Sequence, residues 1–173
     1  NLPFDINAKT IGLDSKTNTL KAEGGSQIYH SEAVIDAETA SFGIDDQKVG
    51  LEGDVVIEEV SATIKADKAE MDLDAGTGNL ESAEVDFVEG DYRLFADAIE
   101  RVGRDDYELD EAALTTCHCP GGDSCIPWFL KADRAHINKN SYGEAWNATL
   151  KFKGVPLFYT PYLWFPVTKS RQT

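Results

Sequence analysis

Apolar and polar residues alternate along most of this chain with a period of two. In SATIKADKAEMDLD, Ala62, Ile64 and Ala66 point one way, and Thr63, Lys65 and Asp67 the other. Ala69, Met71 and Leu73 then alternate with Glu70, Asp72 and Asp74. Ala83, Val85 and Phe87 repeat the pattern, as do Leu94 and Ala96. Period two marks a strand with one dry and one wet face. Between the runs stand DSKTN, GIDDQK, DAGTGN, VGRDD and NKNSYG, whose Gly, Asn and Asp supply the backbone angles of tight turns. Helix signals are scarce, so the pattern predicts an all-β chain of antiparallel strands.

The strands recur in units. AKTIGLD at Ala8, AETASFGID at Ala37, ADKAEMDLD at Ala66, ADAIERVGRDD at Ala96 and ADRAHINKN at Ala132 are related, with starts 29, 29, 30 and 36 residues apart. LKAEG ends at Gly24 and VGLEG at Gly53. Each unit supplies about two strands and cannot bury its dry face alone; stacked units can, as two facing sheets around one apolar interior. Ala22, Ala62, Ala66, Ala69, Ala83 and Ala96 recur where larger side chains would fill a core. Small residues let two sheets approach closely, or leave a cleft for an elongated apolar ligand. The open ends of such a stack are exposed strand edges that invite pairing with another chain.

Charge divides the chain in two. Residues 1–126 hold 29 acids and 9 bases, whereas residues 127–173 hold 2 acids and 7 bases. Ten of the 17 aromatics follow Ile126. The acidic body argues against nucleic acid, since phosphate neutralisation needs Lys and Arg. The basic, aromatic end suits an anionic-lipid setting. It closes on VPLFYTPYLWFPV, Val155 to Val167, too short for a membrane helix and interrupted by Pro156, Pro161 and Pro166. That segment is expected to be rigid and extended. No signal peptide is visible, because Asn1 opens directly into polar sequence.

All three cysteines lie in TTCHCPGGDSCIPW. Cys117, His118, Cys119 and Cys125 lack the paired spacing of a zinc site and have no second ligand pair downstream. In an oxidising compartment a disulfide is the better reading. Cys117 and Cys119 are too close to bond without strain. The simplest scheme joins Cys119 to Cys125 and leaves Cys117 for a cysteine elsewhere; Cys117–Cys125 is the alternative. Asp72-x-Asp74-x-Gly76 lacks the later ligands of a calcium loop and reads as a turn. Asn147-Ala148-Thr149 is a glycosylation sequon, relevant only in a eukaryotic secretory pathway. His30, His118 and His136 are scattered with no triad order, and Asp45/Asp46 and Asp105/Asp106 sit in turn signals. The residues supply no catalytic constellation and require no cofactor.

Three segments together carry a resemblance: the strand repeats, then LTTC followed by PWFLKADRAHI, then NATLKFKGVPLFYTPYLWFPVTKSRQT. Across nearly its whole length the chain resembles the periplasmic N-terminal region of the LptD family of LPS-assembly proteins, also called organic solvent tolerance protein OstA. The companion families LptA and LptC share the front repeats; the tail is the more specific part. The resemblance implies an open, V-shaped β-jellyroll over residues 1–154. Residues 155–173 would be a Pro/aromatic junction leading to an outer-membrane β-barrel. It implies a non-enzymatic lipid conduit on the periplasmic side of the Gram-negative outer membrane, whose interior carries lipopolysaccharide acyl chains. An LptA-like bridge would pair with the N-terminal strand edge, and an LptE-like lipoprotein would be reached through the barrel. Cys117 matches the family cysteine that bonds to the barrel, while Cys119 and Cys125 are additions to that pattern. Strand parity then selects Ile64, Met71, Leu73, Val85, Phe87, Leu94, Leu130, Ile137, Leu150 and Phe152 as the groove. The competing expectations are a free-standing LptA-like bridge protein, a structural β-solenoid scaffold, and a carbohydrate-processing enzyme needing clustered acids on one face.

Overall fold

The structure, a computed structural model, describes residues 5–30, 33–88, 92–103, 105–117, 126–138 and 141–166. Twelve strands follow one another: β1 Asp5–Asn7, β2 Thr10–Asp14, β3 Thr19–His30, β4 Ala33–Gly43, β5 Lys48–Glu58, β6 Ala62–Asp72, β7 Thr77–Phe87, β8 Tyr92–Arg101, β9 Asp106–Thr115, β10 Trp128–Asn138, β11 Tyr142–Phe152 and β12 Val155–Pro166. Each pairs antiparallel with the next from β3 to β12, while β1 and β2 lie end to end along the free side of β3. One continuous sheet results, open at β1/β2 and at β12. The clusters DSKTN, GIDDQK and DAGTGN read from the sequence span the β2–β3, β4–β5 and β6–β7 junctions. The last hairpin turns through Lys153 and Gly154, both at positive φ (47° and 80°), the type I′ geometry whose twist matches the flanking strands. Val155–Pro166 is the final strand, paired along β11.

From β3 onward the strands have 10 to 12 residues, about twice the usual length. Those from β3 to β11 reorient near the middle, and in all but β7 the buried positions show where. In β4 the buried positions are Ile35 and Ala37, then Ala40 and Phe42. The step from Ala37 to Ala40 is three residues, so the inward parity changes. The same three-residue step separates Ala66 from Ala69, Ala96 from Ile99, Leu109 from Ala112, Ala132 from Ala135 and Ala145 from Ala148. In β3 and β5 the step is four, Ala22 to Ser26 and Leu51 to Val55, with the register shift of a β-bulge between.

The backbone at these steps is left-handed. Positive φ occurs at Gly24 and Gly25 in β3, Gly53 and Asp54 in β5, Ser82 in β7, Glu111 in β9 and Asn147 in β11. Gly24, Gly53, Ser82 and Glu111 stand 29 residues apart, and Asn147 follows after 36. The sequence repeat is therefore the repeat of the bend, and the longer last interval contains the cysteine loop between β9 and β10. At Gly53 a side chain would also meet Glu38, its neighbour across the ladder. At Asn147 the side-chain amide donates to Asp133 Oδ2 at 2.8 Å and its oxygen accepts from the Tyr159 hydroxyl at 2.8 Å, which ties three strands together at the crease.

Folding about this crease makes the two facing sheets expected from the repeats into two leaves of one sheet. Residues from both halves of a strand share one core: Val49 and Leu51 lie in the same cluster as Val55 and Ile57. Leu51 has no exposed surface. Left-handed backbone costs an L-residue roughly 1–2 kcal/mol, which glycine avoids. Ser82→Gly should therefore stabilise the protein by about 0.5 kcal/mol and Ser82→Val destabilise it by about 1–2 kcal/mol, read as opposite shifts of the urea midpoint. A glycine variant less stable than the valine variant would refute a left-handed crease at β7.

Candidate functional site

Ladder partners lie on the same face, so the registers trace rows across the sheet. One row runs through all eleven positions of the sheet path without a polar residue: Ile6, Ile28, Ile35, Ile57, Ile64, Val85, Leu94, Leu114, Leu130, Leu150 and Phe158. It follows the inner side of one leaf. The facing leaf carries Leu20, Phe42, Val49, Met71, Gly78, Arg101, Tyr107, Ile137, Gly143 and Phe165 in register. Phe165 lies over Gly143, so its ring covers a position where any Cβ would collide with it. Between the two rows, at the crease, stand Ala37, Ala66, Ala83, Ala96, Ala112, Ala132 and Ala148. Small residues occupy the apex of the fold, where the leaves converge; the first wall carries long apolar side chains throughout, and the facing one is interrupted by Gly78, Arg101 and Gly143.

The interior is not uniform along the path. Ile28, Ile35, Ile57 and Val85 are buried, so over β3–β5 and again at β7 the leaves close on each other. Ile64, Leu94, Leu114, Leu130 and Leu150 are half-buried, and Phe158, at the open edge, is 58% exposed. Burying such a row stabilises by about 25 cal/mol per Å² of apolar surface, and its open end leaves that surface available to an elongated apolar guest.

The structure places Ile64, Val85, Leu94, Leu130 and Leu150 in the aliphatic row, and Met71 and Ile137 in the facing one. Phe87 stacks on Tyr92 with ring centroids 4.5 Å apart, beyond the row at the leaf margin. Phe152 stands at the end of β11, 45% exposed. Leu73 lies in the turn after β6, 39% exposed, one residue past the strand whose alternation included it. Sequence parity missed Leu114 and Phe158 in the same row, and Ile28, Ile35 and Ile57 nearer its start. The signal for Ile35 and Ile57 was present as the β-branched runs Val34-Ile35 and Val55-Val56-Ile57. Leu114 is set in the row by its ladder partners Leu94 and Leu130.

The outer face is polar and largely acidic. Lys68 bridges Glu70 at 2.8 Å and Glu52 at 3.9 Å; this ion pair raises the Lys68 ammonium and lowers the Glu70 carboxyl. Arg93 is held between Glu84 and Asp86, its guanidinium over the Phe95 ring. A polar depression lined by Ser41, Gly50, Glu70, Asn79 and Glu100, with Val49 and Met71 at its inner margin, lies near the turns at the end of the facing leaf. Asp72 accepts from the N–H groups of Asp74 and Ala75, so the Asp72–Gly76 stretch is a turn. Among the described residues no three His, Cys, Asp or Glu side chains gather as a metal group, and no helix is long and apolar enough to cross a membrane. Cys117 is half-buried with a free thiol. His118, Cys119 and Cys125 lie outside the described residues.

Towards β12 the outer face changes character. Arg134, Trp146 and Tyr162 form one ladder row, and His136, Glu144 and Trp164 the next. His136 stands 3.4 Å from Asp106 and 3.9 Å from Glu144. The Tyr162 hydroxyl donates to Glu144 at 2.5 Å, and this bond to the carboxylate holds the phenol above the ordinary tyrosine range.

Fold and interior together define a class: a creased, open antiparallel sheet with a continuous apolar row inside and acids outside. No protein-family model matches the chain. It is 28% identical over 172 residues, 99% of its length, to the LPS-assembly protein LptD of Pseudomonas savastanoi pv. phaseolicola, and 27% identical over 153 residues to that of Acidovorax sp. strain JS42. Those alignments cover 18% and 19% of the relatives, so the chain spans about a fifth of their length. Among solved structures, it is similar to LptH, the LptA-homologous periplasmic component of lipopolysaccharide transport from Pseudomonas aeruginosa. That likeness has 11% identity and a TM-score of 0.28, over 79% of this chain and 76% of that one. Over nearly its whole length the chain is thus similar in sequence to part of the LPS-assembly proteins LptD.

The Tyr162–Glu144 bond is directly testable. A raised phenol pKa favours the neutral folded form. Its contribution is complete below the ordinary tyrosine value near 10 and is lost as pH rises through the higher folded value. Tyr162→Phe should remove a phenolate absorbance step lying above the ordinary range, and Glu144→Gln should return that step towards it. An alkaline titration curve identical in all three proteins would exclude the bond.

Proposed function

We propose that this chain is a non-enzymatic lipid conduit of lipopolysaccharide transport, working on the periplasmic side of the Gram-negative outer membrane. The observation that carries the reading is the unbroken aliphatic row from Ile6 to Phe158. Acyl chains need a dry path rather than a catalytic group, at about 0.8 kcal/mol of stabilisation per buried CH₂. The groove comprises Ile64, Met71, Val85, Leu94, Leu130, Ile137 and Leu150, with Leu73, Phe87 and Phe152 at its margins; Leu114 and Phe158 complete the wall. Anionic head groups project into solvent, because the acidic outer face repels them and salt or divalent ions screen them there.

In the fuller form of this proposal an LptA-like bridge pairs with the β1/β2 edge, where Ile11 and Leu13 are exposed. The lipid then passes along the row and leaves at β12 towards an outer-membrane barrel associated with an LptE-like lipoprotein. Cys117 bonds to that barrel. A second reading, a free-standing LptA-like bridge protein, is favoured by the sheet itself: it does not close into a barrel, and its β1/β2 edge is open to pairing with a copy or a relative.

Photo-crosslinkers at Leu94, Leu114, Leu130 and Leu150 should capture lipopolysaccharide in cells, and those at Lys65, Asp72 and Glu84 should not. Equal labelling of both sets would overturn the conduit. The reading frame beyond Thr173 separates the two forms: several hundred codons of alternating strands, roughly ten residues each, specify the barrel-linked module, and a stop codon specifies the bridge protein.

A further inference from the structure

We infer that the outer face of β10–β12 is a docking surface for the interface of an anionic phospholipid bilayer. This surface is separate from the apolar row, being on the opposite side of the sheet. Trp146, Tyr162 and Trp164 stand on adjacent outer positions of β11 and β12. The Trp146 and Tyr162 rings lie 6.0 Å apart, and Trp164 is 6.5 Å from Tyr142. Trp164 is 56% exposed, Tyr159 57% and Tyr162 46%, an amount of aromatic surface found nowhere else on the outer face of the described residues. The Tyr159 and Tyr162 hydroxyls are bonded back to Asn147 and Glu144, which turns the rings along the sheet.

Charge selects the occupant. Elsewhere the outer face carries acids such as Glu52, Glu70 and Glu100. Here cations stand among the rings: Arg134 lies over Trp146 at 5.1 Å and Lys131 over Phe129 at 5.6 Å, with Lys153 over Phe152 at 5.7 Å in the adjoining turn. The acids facing this patch are Glu144, which accepts from Tyr162, Asp133, which accepts from Asn147, and, at its β9 margin, Glu108 and Asp110, the ladder partners of His136 and Arg134. Tyr and Trp favour the headgroup level of a bilayer, where an amphipathic ring meets both media, and Lys and Arg beside them favour anionic lipids. A protein strand is a poor occupant, because Pro156, Pro161 and Pro166 remove three donors from β12 and blunt its edge.

Trp146 and Trp164 stand on this face and Trp128 on the parity of the groove wall, so emission is read in a Trp128→Phe chain, where it reports on this face alone. The full chain is mixed with phospholipid vesicles free of lipopolysaccharide, either phosphatidylethanolamine with phosphatidylglycerol or phosphatidylcholine alone, with and without lipids brominated near the glycerol. The anionic vesicles should shift the emission to the blue and quench it through bromine, and high salt should reverse both. Tyr162→Ala with Trp164→Ala should weaken partitioning about tenfold, as should Lys131→Glu with Lys153→Glu, while Lys65→Ala leaves it unchanged. Circular dichroism checks that each variant keeps its strands. Absence of binding, equal binding to both vesicle types, or indifference to both double variants would overturn the proposal. So would a concentration-dependent dimer that buries the tryptophans without lipid, which would assign the face to a second copy. Because no lipopolysaccharide is present, either outcome leaves the conduit reading to its own crosslinking test.

Discussion

A strand shows residues i and i+2 to the same side, so i and i+3 can share a side only if the backbone reorients between them. Nine of the long strands make that reorientation, or its four-residue bulged equivalent, at corresponding places, and the architecture depends on it. The left-handed residues at Gly24, Gly53, Ser82, Glu111 and Asn147 lie on every second strand, and the alanine pairs Ala37/Ala40, Ala66/Ala69 and Ala132/Ala135 on strands between. One strand supplies the backbone kink and its neighbour the small side chains that let the kink close. A single sheet thereby acquires an inside without a second sheet to pack against.

Residue size then follows from distance to the crease. Alanine fills the apex, and isoleucine, valine, leucine and phenylalanine line the walls. Where the leaves close, over β3–β5 and at β7, the row is an ordinary core with Leu51 fully buried. From β8 onward the same row is half-exposed, and at Phe158 it meets solvent. Core and groove are thus one surface, differing only in how far the leaves stand apart. A lipid moving along it would exchange protein contacts for acyl contacts of similar apolar character, a transfer that needs no chemical step.

The two ends of the sheet are chemically distinct. β2 is exposed throughout and, with β1, offers a strand edge without proline among its described residues. β12 has three prolines, exposed aromatics and neighbouring cations. Strand pairing suits the first end and a lipid interface the second, which gives the sheet a direction. The acidic outer face between them keeps the body hydrated and repels anionic groups that approach from the side.

The alternation in SATIKADKAEMDLD, the turn clusters and the 29-residue repeat were sufficient to specify an all-β chain of antiparallel hairpins, because strand parity and turn chemistry are local properties. The residues Ile64, Val85, Leu94, Leu130 and Leu150 were legible for the same reason, each lying within a run of unbroken parity. Leu114 and Phe158 join that row through inter-strand register, Leu114 beside Leu94 and Leu130 and Phe158 beside Leu150. Leu73 shows where parity misleads: alternation continued past the point where the strand ends in a turn. That the rows of separate strands join into one continuous aliphatic line, that alanines collect at a crease, and that aromatics and cations meet on the outside of β12 were decided only by the tertiary structure. Those juxtapositions depend on inter-strand register, which no single strand encodes.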